Sequence, residues 1–157
     1  MTRTVEEFGL IPMYNAKDWA AGADSETVDM GKGGSLDIVI TTGVLTVPGA
    51  LSLFSGATAG AKTTALPFTY RLSGADYLGI GADLYGAEIA EADGILTLSA
   101  TTHDLRVLVL HIEAADLPVD HKWVTAAIAA GTAQFLAAVG IIRQPRYAPP
   151  VSAVPLS

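Results

Sequence analysis

The chain of 157 residues carries 9 Lys and Arg against 16 Asp and Glu, a formal charge of −7, with half of its residues hydrophobic and only 16% charged. This acidic balance excludes a charge-driven grip on DNA or RNA, which needs clustered cations to displace counterions from phosphates. The absence of cysteine excludes disulfides, thiolate-bound zinc and thiol catalysis.

The length fits one domain with its own core. Sixteen glycines and eight prolines, with few strong helix formers, predict an all-β chain rich in turns. The N-terminus MTRTVEEFG has no apolar h-region, so no secretory signal is expected.

In chain order, residues 1–22 read as an N-terminal arm, because Phe8, Leu10, Ile11, Met13, Tyr14 and Trp19 follow neither helical nor strand spacing and need a partner surface. A β-domain is expected over 23–144. In SLDIVITTG, Leu36, Ile38 and Ile40 alternate with Asp37, Val39 and Thr41, which predicts a strand. PGALSLFS predicts a second strand. ALPFTYRLSG predicts a third, with Phe68, Tyr70 and Leu72 on one face. The glycine-rich SGADYLGIGADLYGAEIAEADG reads as a long loop. ILTLSAT resumes the strand pattern, and Leu105 to Ile112 is apolar on both faces, as expected of a strand in the middle of a sandwich.

Trp123 to Ile142 holds twenty residues without a charge, the length of a transmembrane helix. Its seven β-branched residues and two glycines oppose a helix in water, and Gln134 opposes a span in lipid. The preferred reading is a hairpin of two strands, Lys122 to Ala130 and Gln134 to Arg143, whose small side chains let a neighbouring layer approach closely. Residues 145–157 carry four prolines and read as an extended tail outside any central strand.

Chemistry-bearing patterns are sparse. His111 and Glu113, two apart on a strand, share a face and form a possible metal pair, but zinc centres use three or four protein ligands. The expected role is a half-buried histidine beside a solvated carboxylate. GKGGS lacks the spacing of a phosphate loop and reads as a turn, and no GxSxG occurs. Asp83, Glu88, Glu91 and Asp93 lack the EF-hand pattern and read as solvated. No catalytic, cofactor or metal site is assigned, and no enzyme is expected.

The passages EEFGLIPMYNAKDW, LPFTYRLSGAD and HKWVTAAIAAGTAQFLAAVGIIRQPRYAP resemble the small head-decoration, or cement, proteins of tailed bacteriophages; together they cover well under half of the chain. The resemblance implies an antiparallel β-sandwich or jelly-roll-like subunit, assembled in the host cytoplasm. It would sit as a homo-oligomer, often a trimer, on the outside of the capsid and reinforce joints between major capsid proteins, with no nucleic acid, membrane or cofactor involved. Contacts are expected from Phe8, Leu10, Ile11, Tyr14 and Trp19 in the N-terminal arm and from Arg143, Arg146 and Tyr147 at the C-terminal end, the arginines meeting acidic groups on the shell. Head-tail connector and tail proteins share this character. A carbohydrate-binding β-sandwich is the alternative from another class, with Trp19, Tyr77, Tyr85 and Trp123 as stacking platforms; a C-terminal membrane anchor is a third.

Overall fold

A computed structural model describes residues 8–46, 48–75, 81, 83–130 and 134–143. It is an antiparallel β-sandwich, and among the described residues there is no α-helix. The first sheet runs, edge to edge, β1 (Gly9–Asp18), β12 (Gln134–Arg143), β4 (Ser35–Leu45), β10 (Val107–Glu113), β7 (Phe68–Leu72) and β8 (Ile89–Glu91). In the second sheet β11 (Trp123–Ile128) lies beside β5 (Gly49–Gly56). The pair is flanked on one side by β2 (Ala23–Asp24) and β3 (Val28–Asp29), and on the other by β6 (Thr64–Ala65) and β9 (Ile95–Leu98).

The pairing is nested. β1 pairs with β12, β2 and β3 with β11, β4 with β10, and β5 with β9, all antiparallel. One long hairpin rolled up on itself produces this order, which is jelly-roll topology. Two of the crossings between sheets are made at short 3-10 turns. Met30–Lys32 is capped by Asp29, whose side chain accepts the Gly31 N–H at 3.0 Å; Ala114–Asp116 carries the chain from β10 towards β11. Beside the first turn, a Cβ on Gly33 would stand 2.2 Å from Ile142 Cγ2, so only glycine lets the crossing pass so close to β12.

Strict alternation builds the core. Leu36, Ile38 and Ile40 of β4, Leu108, Leu110 and Ile112 of β10, and Phe68 and Tyr70 of β7 point inward from the first sheet. They meet Leu51 and Leu53 of β5, Leu96 and Leu98 of β9, and Val124, Ala126 and Ile128 of β11. The doubly apolar stretch ending at Ile112 is β10, placed between β4 and β7, the central position its composition predicts.

Two expectations change. Residues 9–18, read as part of an arm, are the edge strand of the first sheet, with Gly9 opposite Ile142 and Asp18 opposite Phe135. Ile11, Met13 and Tyr14 find their partner surface within the chain, while Leu10 stays exposed. The two uncharged segments are strands as expected, but they do not form a hairpin: β11 pairs within the second sheet and β12 within the first. Both strands have better partners elsewhere, since β4 offers β12 nine register positions along its length. No described helix is long and apolar enough to cross a membrane.

Candidate functional site

The outward side chains of the first sheet follow from the same alternation. Val39 of β4, Val109 of β10 and Val139 of β12 lie side by side in register, with Pro12 of β1 beyond Val139 and Arg71 of β7 beyond Val109. The next row holds Leu10, Ile141, Asp37, His111 and Thr69. Towards the other end stand Val107 and Ala137, and then Phe135. Leu10 is 44% exposed, Phe135 46% and Val139 41%.

The polar margin is a four-membered chain of charges across three strands. Asp37, on β4, is buried although it faces outward, because His111 and Arg143 lie over it. His111 Nδ1 is 2.6 Å from Asp37 Oδ1 and its Nε2 is 2.8 Å from Glu113 Oε1, while Arg143 Nε donates to Asp37 Oδ2. With a carboxylate on each ring nitrogen, both nitrogens donate and the imidazolium is the bonded form. Burial of the ring works against that charge. The hydrogen bonds and negative charges of Asp37 and Glu113 outweigh it and raise the pKa above the ordinary histidine value. Arg71, next along the face, is 3.5 Å from Glu88.

Beside this chain lies an open groove of about 680 Å³ lined by Thr69, Glu88, Glu91, His111, Glu113 and Asp116 among others. Among the described residues no group of three or more histidines and carboxylates is placed to hold a metal ion, and both nitrogens of His111 are already engaged. His111 and Glu113 do share a face as the spacing predicts, and their bond is to each other. A second histidine pair, Ser55 Oγ to His121 Nδ1 at 2.9 Å, went unseen in the sequence because 66 residues separate the partners. Ser55 is fully buried, so the pair ties β5 to the turn before β11 and offers no nucleophile to a substrate.

The residues expected to meet a partner divide into two groups. Tyr14 is buried, its hydroxyl 3.0 Å from the Ala23 carbonyl and 2.9 Å from the Ala126 carbonyl, so it fastens the edge strand to the second sheet. Burial, reinforced by Asp24, pushes its pKa above the ordinary tyrosine range. Trp19 stands edge-on to Tyr14 with ring centroids 5.1 Å apart, and its indole N–H points at the carbonyls of Asn15 and Leu136. Ile11 packs on the core. Arg143 is tied to Asp37. These four are occupied within the chain. Leu10 is on the open face and Phe8 is half-exposed, while Arg146 and Tyr147 lie outside the described residues.

The aromatic platforms for a sugar do not form a row. Trp19 is locked at the end of β1, Trp123 faces outward from the second sheet under the Lys122 ammonium, and Tyr85 bridges to Ser73 at the far edge of the first sheet; Tyr77 lies outside the described residues.

Comparison with known proteins adds no relative: no family model, curated protein or solved structure matches the chain.

Proposed function

We propose that the protein is a non-enzymatic structural subunit of a virion, a decoration or cement protein on the outside of a bacteriophage head that stabilises contacts between major capsid proteins. The observation that carries this reading is the apolar outer face of the first sheet. The sandwich already has a complete core between its sheets without Leu10, Phe135 and Val139, and protein assembly is the process that buries the apolar area they leave exposed. Jelly-roll topology, an architecture shared by capsid and lectin domains, supports it by analogy of fold alone. The absence of an aromatic row in the described residues weighs against the lectin branch of that analogy. Phe8, Leu10, Arg146 and Tyr147 remain the residues offered to the shell.

Co-sedimentation with undecorated phage shells tests the proposal. The intact protein is expected to pellet with shells, and removal of residues 145–157 is expected to weaken pelleting while leaving the circular dichroism spectrum unchanged. A protein that stays in the supernatant at every shell concentration overturns the decoration role.

A further inference from the structure

We infer that the outer face of the first sheet is covered by a second copy of this chain, packed face to face through the row Val39, Val109 and Val139. The inference rests on the assembly reading above and names the occupant of the surface.

Size is the first support. β1, β12, β4, β10 and β7 together present roughly 700 Å² in projection, at about 4.8 Å between strands and about 3.4 Å per residue. A stable pair buries about 800 Å² of accessible surface on each partner, and because side chains standing off a sheet expose more area than its projection, the whole face, charged margin included, is of that order. Charge is the second support. The chain carries −7 in all, yet among the described residues on this face Arg143 and the His111 imidazolium answer Asp37 and Glu113, and Arg71 answers Glu88, with Asp18 added on β1 beside Phe135. The surplus carboxylates, among them Asp24, Glu26, Asp93, Asp104 and Asp120, lie on other elements. Two copies therefore bring these faces together without opposing their surplus charge, whereas most other pairings of so acidic a molecule bring like charges together.

The edge of the sheet is a poorer joint. The free edge strand β1 carries Pro12 and two register irregularities, between Pro12 and Tyr14 and between Tyr14 and Lys17, devices that discourage strand addition. Face-to-face packing needs no free backbone groups, and two sheets stacked about 10 Å apart interdigitate their side chains as the two sheets of the sandwich do. The contact is isologous: the patch meets itself and closes at two copies.

Sedimentation velocity in detergent-free buffer, at micromolar to sub-millimolar concentrations, reads the outcome directly. The intact protein is expected at twice its chain mass. Val139→Glu and Phe135→Glu, both at exposed positions, are expected at the chain mass with unchanged circular dichroism. Ile95→Glu, exposed on the outer face of the second sheet, is expected to keep the doubled mass. A monomeric intact protein, or a Val139→Glu variant that keeps the doubled mass, overturns the inference. Shell co-sedimentation of the same samples separates the two readings. A dimer that ignores shells retires the decoration role alone, and a monomer that binds shells, losing them on Val139→Glu, assigns the face to the capsid and retires the second copy.

Discussion

Asp37 and His111, directly opposite each other on β4 and β10, are joined at 2.6 Å, and the remaining oxygen of the same buried carboxylate takes the Arg143 guanidinium from β12. One acid thus ties three adjacent strands together on the outer face. Asp37→Ala removes both attachments and leaves two cations side by side, and is expected to cost about 2 kcal/mol in urea unfolding at pH 6, the range for hydrogen bonds to charged groups.

The pH dependence of that link has a definite sign. The folded pKa of His111 is raised, so between the unfolded value near 6.5 and the folded value the native state holds the extra proton. The contribution is complete below the unfolded value and is lost as pH rises through the folded value. Stability of the intact protein minus that of His111→Gln is therefore expected to be largest near pH 6 and to shrink towards pH 9, measured by urea unfolding across the series.

His103 works in the opposite direction. It is buried, its Nδ1 accepts the Ser99 N–H at 3.1 Å, and Nε2 finds no partner among the described residues, so the neutral ring is the folded form. Burial, with a smaller push from Arg106, lowers its pKa. Below pH 6.5 the unfolded chain takes up a proton that the native state refuses, and stability falls until the folded pKa is reached. Thermal unfolding from pH 7 to 4.5 is expected to show a shallower acid decline in His103→Asn, which keeps an acceptor for Ser99 but cannot titrate.

Tyr14→Phe isolates the fastening of the edge strand. Removing the hydroxyl that lies between the Ala23 and Ala126 carbonyls is expected to cost about 1 kcal/mol. Hydrogen exchange should accelerate selectively at the β1 and β12 amides, with the β4 and β10 amides unchanged.

Two glycines with nearly the same positive φ separate steric crowding from conformational strain. Gly94 and Gly60 have φ of +72° and +78°. A Cβ on Gly94 would stand 2.7 Å from the Leu66 carbonyl oxygen, whereas one on Gly60 would meet nothing within 4 Å. Gly60→Ala is expected to cost about 1 kcal/mol, the left-handed penalty alone. Gly94→Ala should cost at least twice that in the same chemical denaturation assay.

The strands that could be read in the sequence are those with unbroken alternation: Leu36, Ile38 and Ile40, then Phe68, Tyr70 and Leu72, then Leu96 and Leu98. β1 could not, because a register irregularity between Pro12 and Tyr14 turns the adjacent Met13 and Tyr14 both inward, and period two disappears. The partners of β11 and β12 were illegible for another reason: alanine-rich strands fit many neighbours, and adjacency in sequence favoured a hairpin that the nested pairing overrides. Of the candidate site, the shared face of His111 and Glu113 followed from spacing. The burial of Asp37 did not, since it depends on a cation 106 residues away. Tyr14 and Trp19 looked like contact residues because large aromatics beside an irregular pattern have the same composition whether they clasp a neighbour or their own chain.

The pairing of β1 with β12 also sets an order of events in the making of the molecule. As the chain leaves the ribosome, Met13 and Tyr14 have no seat until the last described strand arrives beside them, and β4 waits for the same strand on one side. Closure spans almost the full length of the described chain, the kind of remote contact that slows folding and leaves greasy surface open in the meantime. The sandwich can therefore be completed only once β12 has emerged, and until then the apolar sides of β1 and β4 that it covers stay open to other contacts.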